Sequence, residues 1–79
     1  MNIESRLYEI VARHFNKEIK EINPAISKDD IEDWDSLEHI KLILEIEEEF
    51  KVKFSLDIIP QITNVKAIQE ELGKFFNEN

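Results

Sequence analysis

The sequence has no cysteine, a single glycine and only two prolines among its 79 residues. Without cysteine it has no disulfide, no thiolate zinc site and no cysteine nucleophile. A small domain without disulfides is typical of a reducing compartment, so we expect a cytoplasmic location. No apolar run is long enough to span a membrane, and the charged N-terminal segment lacks the apolar core of a signal peptide. We therefore predict neither a membrane span nor a secretion signal.

The small size of the chain limits the number of hydrophobic cores and the volume of any enclosed cavity. We predict one domain over residues 1–79, because this length leaves no room for a second core. A chain of this size buries only about 60% of the surface that its unfolded form exposes. It has little space for both a core and an enclosed active-site cavity. We therefore expect a protein that performs no catalysis. We also expect a monomer.

Basic residues are scarce in the middle of the chain, which holds the whole charge imbalance. The net charge is −8, and residues 29–57 carry eleven acidic and three basic side chains. An acidic region of this kind repels nucleic acid and attracts proteins with basic surfaces. A solubilising face is the ordinary alternative. Because the basic residues are scattered and are not interleaved with aromatic ones, we predict no nucleic-acid partner.

The acidic cluster in the same region does not fit a metal site. Its members are Asp29, Asp30, Glu32, Asp33 and Asp35. A calcium loop of the EF-hand type needs a central glycine, and this cluster supplies none. His14 and His39 have no cysteine or histidine partner at metal-binding spacing, and nothing near Ser36 and His39 forms an oxyanion site for a serine hydrolase. We predict no metal site and no catalytic residue.

Apolar residues recur at helical spacing in three segments, and no segment alternates long enough to predict a sheet. The first set, in a helix expected at about residues 2–17, is Ile3, Leu7, Ile10, Val11 and Phe15. The second, in a widely buried helix that begins after Asp35, is Leu37, Ile40, Leu42, Ile43, Leu44, Ile46 and Phe50. The third, with Thr63 and Asn64 as candidate caps, is Val65, Ile68, Leu72, Phe75 and Phe76.

Two connectors join these helices. The first, residues 18–34, is a long loop whose apolar side chains we expect to lie on the helices. The second, residues 51–63, contains a single turn predicted at Leu56–Ile59, which Ser55 caps and Pro60 stops. The prediction is an all-α four-helix bundle with three main helices, one short third helix and a long first loop.

The start of the second main helix is the most informative local pattern. Asp35 is predicted as its N-cap, and Glu38 is placed to bond back to the cap as in a capping box. Trp34 precedes the cap and is expected to pack beside His39. Ser36 takes the first helical position, with its hydroxyl at the surface. A phosphate ester suits this position, because a helix N-terminus has unpaired N–H groups and a partial positive charge.

Three segments together resemble the acyl carrier protein family, the phosphopantetheine-binding four-helix carriers. They are the triplet Asp35-Ser36-Leu37, the run LEIEEEF at residues 44–50, and the segment Ile62–Val65. The resemblance covers nearly the whole chain. It implies that Ser36 bears a covalent 4'-phosphopantetheine arm, installed by a phosphopantetheinyl transferase. It also implies a cargo held as a thioester and a core, formed by the apolar residues of the three long helices, that opens to shelter an acyl chain.

The resemblance assigns roles to the residues around the serine as well. Asp35 belongs to the site that the transferase recognises. The face recognised by basic patches of acyl-loading and acyl-processing enzymes consists of Leu37, Glu38, Glu47 and Glu48. The implied function is a discrete carrier in fatty-acid, polyketide or related synthesis. An aminoacyl, peptidyl or D-alanyl carrier is an alternative, and a noncatalytic acidic helical adaptor is the alternative from another class.

Three positions depart from the pattern of fatty-acid carriers. Trp34, which follows Asp33 rather than a glycine, stands where those carriers often have a small or aliphatic residue. Lys41 stands where they usually have an acid, and Glu45 where they are often apolar. These differences suggest a specialised carrier that serves one pathway.

Overall fold

A computed structural model describes residues 2–76, and in this range the backbone forms three α-helices and two 3₁₀ turns. The helices are α1 (Ile3–His14), α2 (Ser36–Phe50) and α3 (Val65–Phe75), and the 3₁₀ turns are Ile19–Glu21 and Ile59–Gln61. The described residues contain no strand, only an isolated bridge between Ser27 and Asn64. The predicted all-α bundle is confirmed. Between residues 2 and 76 no helix is both long enough and apolar enough to cross a membrane.

The first helix ends at His14 and not at residue 17 as predicted. The cause is the next turn, where Asn16 has a left-handed backbone with a φ of 59°. The Asn16 N–H donates to the Arg13 carbonyl over 3.3 Å, and the Lys17 N–H donates to the Ala12 carbonyl over 2.8 Å. This pair of bonds is a Schellman motif, which satisfies the last carbonyls of a helix and turns the chain away from it.

The core is formed by the inward sides of the helices, and both connectors add side chains to it. Ile22, Ile31 and Trp34 of the first connector are buried, as are Phe54 and Ile62 of the second. The expectation that the first loop lies on the helices is confirmed for these residues. Loop burial matters in a chain of this size, because few other apolar groups are available to a small core.

The short element of the second connector lies later in the chain than predicted. The Ser55 hydroxyl accepts a hydrogen bond from the Asp57 N–H at 3.2 Å, so the expected cap is present. The 3₁₀ turn itself covers Ile59–Gln61 and contains Pro60 instead of stopping before it. Proline fits there because the first positions of a helical turn need no N–H donor.

The last helix begins where the sequence indicates, at Asn64. Its side-chain oxygen accepts a hydrogen bond from the Ala67 N–H at 2.7 Å, so Asn64 and not Thr63 is the N-cap. The two phenylalanines at its end were predicted to be core residues, but Phe75 and Phe76 are both exposed. They lie against the rim of the core, with Phe75 in an edge contact to the Phe54 ring at 5.5 Å.

Candidate functional site

The N-terminus of α2 has the cap that the sequence predicts. Asp35 has an extended backbone, and its Oδ1 accepts a hydrogen bond from the Glu38 N–H at 2.8 Å. Ser36 is therefore the first helical residue, and it is exposed. Among residues 2–76 its hydroxyl has no hydrogen-bond partner. The serine thus presents a free oxygen at a rigid helix start.

The predicted capping box at this helix start is wrong. The Asp35 N–H donates to the Asp33 carbonyl at 3.0 Å, and the Glu38 carboxylate points elsewhere. Its Oε1 is 3.0 Å from Nε2 of His14 on α1, and its Oε2 is 3.5 Å from Nζ of Lys41. A charged or hydrogen-bonding partner on a neighbouring helix has displaced the local bond, and such a partner is not visible to a local sequence pattern.

His14 joins α1 to α2 through two carboxylates. Besides the Glu38 contact, its Nδ1 lies 2.9 Å from Oε1 of Glu45, and Arg13 reaches the other Glu45 oxygen at 3.5 Å. Glu38 and Glu45 are seven residues apart, so they lie on the same side of α2. His14 is half-buried, and the sequence did not lead us to predict this bridge. The signal was available in the seven-residue spacing of the two acids.

A mainly apolar groove of about 320 Å³ opens beside Ser36. It lies between the N-terminal half of α2 and the 3₁₀ turn of the second connector. Its lining residues are Lys28, Asp35, Ser36, His39, Ile40, Leu56, Ile59, Pro60 and Thr63. The volume is at the lower end of the roughly 300–1,000 Å³ that small-molecule sites in proteins occupy. Sequence patterns did not reveal this groove, because three separate segments form its walls.

The floor of the groove is a chain of two hydrogen bonds through His39, of which the bond to Trp34 is buried and the bond to Ile59 part-buried. The Trp34 Nε1–H donates to His39 Nδ1 at 3.0 Å, and His39 Nε2 lies 2.8 Å from the Ile59 carbonyl oxygen. Because a carbonyl only accepts, Nε2 carries a proton. Because Nδ1 accepts from Trp34, it carries none, and the ring is therefore neutral. Burial is the main cause that lowers the pKa of His39, and the positive charge of Lys28 lowers it further. The expected packing of Trp34 beside His39 is confirmed, with ring centroids 6.0 Å apart.

Three apolar residues of α2 that were predicted to be core residues are on the surface. Leu37, Ile40 and Leu44 are 62%, 50% and 58% exposed. The apolar residues of α2 surround more than half of the helix, whereas the neighbouring segments cover only one side of it. Together with Lys41 and Glu48, these three form one stripe, which we call the outward face of α2.

The two acids near the end of α2 have different surroundings. Glu47 is half-buried, and its Oε2 accepts a hydrogen bond from the Phe54 N–H at 2.7 Å. Glu48 is exposed, and no described residue pairs with it. The structure therefore brings Leu37 and Glu48 onto one face, whereas Glu38 and Glu47 lie at its sides with partners of their own.

Comparisons with known proteins identify the family of the chain. The family model described as a phosphopantetheine attachment site matches residues 5–72. Among solved structures, an acyl carrier protein from Enterococcus faecalis is similar, with a TM-score of 0.76 and 25% sequence identity over 91% of each chain. Proteins of this kind carry cargo and are not catalytic. The chain therefore belongs to the phosphopantetheine-attachment family, as a noncatalytic carrier protein that bears a covalent 4'-phosphopantetheine.

Proposed function

We propose that Ser36 bears the arm and that residues 1–79 act as one carrier domain for an acyl-type cargo. One observation carries the proposal: Ser36 is an exposed residue with a free hydroxyl, at a capped helix start and at the mouth of an apolar groove. Of the four serines in the chain, Ser36 alone lines this groove. The hydroxyls of Ser27 and Ser55 are engaged in local turns, which makes them poorer acceptors.

Attachment at Ser36 is chemically straightforward. The serine oxygen forms a bond to phosphorus in coenzyme A, adenosine 3',5'-bisphosphate leaves, and the serine proton passes to the transferase. The phosphate then lies at the N-terminus of α2, where unpaired N–H groups and the helix dipole favour an anion. The carboxylates of Asp35 and Glu38 oppose tight binding of that phosphate. This balance supports an arm that is tethered but free to swing.

When attached, 4'-phosphopantetheine supplies a thiol that holds the cargo as a thioester. The residues of the chain itself position, shelter and present that cargo. Asp35 fixes the helix start and keeps Ser36 at the surface. The groove offers an apolar surface within reach of the attachment point, and this supports an acyl-type cargo.

We propose that the outward face of α2 docks on the enzymes that serve the carrier. These are the phosphopantetheinyl transferase and the acyl-loading and acyl-processing enzymes, which would present basic patches around an apolar contact. Leu37 and Glu48 contribute directly, Asp35 and Glu38 flank the serine, and Glu47 adds charge at the edge. The acids on and beside this face outnumber its one basic residue, Lys41, and such a negative surplus speeds the encounter with a basic partner and makes it sensitive to salt.

The acyl cargo belongs to fatty-acid, polyketide or related synthesis. An aminoacyl, peptidyl or D-alanyl cargo is the alternative within the same class. The polar side chains of Lys28 and Thr63, which line the groove, support it because they offer partners to a polar cargo. The family match favours a carrier over a noncatalytic acidic adaptor.

The test is arm addition in vitro. The protein is incubated with coenzyme A and a broad-specificity phosphopantetheinyl transferase, and the intact mass is measured. We expect the mass of one arm on the wild-type chain and on the matched control Ser55→Ala, and none on Ser36→Ala. Failure of the wild-type chain to accept an arm, or normal addition to Ser36→Ala, would overturn the assignment.

A further inference from the structure

The groove beside Ser36 ends on polar groups instead of continuing into the apolar core. Its floor is His39, which is 5% exposed and is held on both sides by the hydrogen bonds to Trp34 and Ile59. Trp34 is 2% exposed, so the far end of this chain lies inside the core. The three residues come from the first connector, from α2 and from the second connector. The floor therefore ties together the three segments that supply the lining of the groove.

We propose that the hydrogen-bonded chain Trp34–His39–Ile59 restricts the cargo to short acyl groups, with His39 as the specificity-determining residue. The inference rests on the proposed attachment at Ser36. A short acyl group lies against Ile40, Leu56 and Ile59 without disturbing the floor. A long acyl chain has to leave its outer carbons in water or break through the floor.

Breaking through the floor is unfavourable for a definite physical reason. Moving Ile59 away from His39 leaves an N–H and a carbonyl without partners at a part-buried position, and the acyl chain that fills the space keeps water from replacing them. A donor and an acceptor that lose each other out of reach of water keep their penalty of desolvation. The acyl chain itself is apolar and offers neither group a hydrogen bond. The penalty is thus specific to cargo that extends beyond the floor.

The low pKa of His39 agrees with this role. Burial favours the neutral ring, and the neutral ring is the form that accepts from Trp34 and donates to Ile59 at the same time. The fold thus favours the protonation state that both hydrogen bonds of the floor require.

The experiment compares cargo lengths on the same protein. Ser36 is loaded from butyryl-, octanoyl- and hexadecanoyl-coenzyme A, and each product is checked by intact mass. The midpoint of thermal unfolding is then measured relative to the same protein with an unacylated arm. For the wild-type chain we expect a rise with butyryl and no further rise with the longer groups. For His39→Leu, which replaces the polar floor with an apolar side chain, we expect the rise to grow with cargo length.

The matched control is His14→Leu, which changes the other histidine and does not touch the groove. We expect its dependence on cargo length to follow that of the wild-type chain. If His39→Leu does not fold, Trp34→Phe removes one donor of the floor and keeps an aromatic ring in the core. A wild-type midpoint that climbs steadily from butyryl to hexadecanoyl would overturn the inference, as would identical length profiles for the wild-type chain and the floor variant. Absence of any arm by mass would instead overturn the attachment at Ser36.

Discussion

The two sides of α2 carry similar aliphatic residues in different surroundings. On the inward side Leu42, Ile43 and Ile46 are fully buried, whereas on the outward face Leu37 and Leu44 are mostly exposed. The hydrophobic effect accounts for the inward side, because those side chains leave water when the chain folds. It gives no reason to keep leucines on the outward face of a folded monomer. Exposed apolar residues that form one stripe are typical of a surface that binds something else.

The largest expected effect is on the free energy of unfolding, when the same leucine-to-alanine substitution is made on the two sides of α2. Leu42→Ala removes a buried side chain and leaves a cavity, so we expect the free energy of unfolding to fall by about 2–5 kcal/mol. Leu44→Ala removes an exposed side chain, so we expect a change within about 0.5 kcal/mol. Urea denaturation followed by circular dichroism measures both. Equal losses for the two variants would show that the outward face is covered in solution.

The same pair of variants also tests docking. We expect Leu44→Ala to slow arm addition by the transferase, although its fold is intact. This rate is measured from the mass of the product over time at low transferase concentration. A rate equal to that of the wild-type chain would remove Leu44 from the docking surface.

The next effect concerns the helix start that both sides share. Asp35→Ala removes the acceptor for the Glu38 N–H, and we expect it to lower the free energy of unfolding by about 1 kcal/mol. Asp35→Asn keeps an acceptor oxygen and is expected to stay close to the wild-type stability. The control is Asp33→Ala, because only the backbone carbonyl of Asp33 bonds to this turn.

These two Asp35 variants also separate the cap from its charge. If the transferase recognises the carboxylate, arm addition to Asp35→Asn is slow in spite of its stability. Wild-type rates for Asp35→Asn would assign the residue a structural role alone.

Local features of the fold were predicted from the sequence more successfully than tertiary ones. Asp35 was predicted as a cap, and Asn64 as one of two candidates, because each cap depends on residues within one turn. The exposure of Leu44 and the turn of Glu38 toward His14 were not predicted. Helical periodicity locates apolar residues around a helix, but it does not tell how much of the circumference other segments cover. The groove beside Ser36 was not predicted either, because its walls come from parts of the chain that are distant in sequence.

A smaller effect concerns the one polar group on the inward side. Burial lowers the pKa of His39 in the folded protein, while the unfolded chain titrates near the ordinary value of about 6.5. As the pH falls through about 6.5, the unfolded state takes up a proton that the folded state does not bind. Stability contributed by the neutral ring is therefore full above that pH and is lost as the pH falls.

Denaturation at a series of pH values between about 7.5 and 5 tests this effect. Because acidification also acts on the rest of the protein, the informative quantity is the difference between the wild-type chain and His39→Leu. We expect the wild-type chain to lose more stability than the variant on acidification. Parallel curves would mean that His39 is not held neutral by the fold.

The smallest expected effect distinguishes two neighbouring charges at the end of α2. Glu48 belongs to the outward face and pairs with no described residue, whereas Glu47 lies at the side and accepts the Phe54 N–H. Glu48→Gln and Glu47→Gln each remove one negative charge and keep the shape of the side chain. We expect both to leave the free energy of unfolding within about 0.5 kcal/mol of the wild type, because a glutamine oxygen still accepts from Phe54.

The two variants should differ in arm addition. A charge that lies on the docking surface itself steers the encounter with a basic partner more than a charge at its side, so we expect Glu48→Gln to slow arm addition more than Glu47→Gln does. The deficit should shrink as salt is added, since screening weakens the wild-type attraction as well. Measuring the rate at low and high ionic strength therefore separates steering from loss of a close contact. An equal deficit for both variants would show that the total negative charge matters and not the position of Glu48 on the outward face. A deficit that persists at high salt would show that Glu48 acts through a direct contact and not by steering.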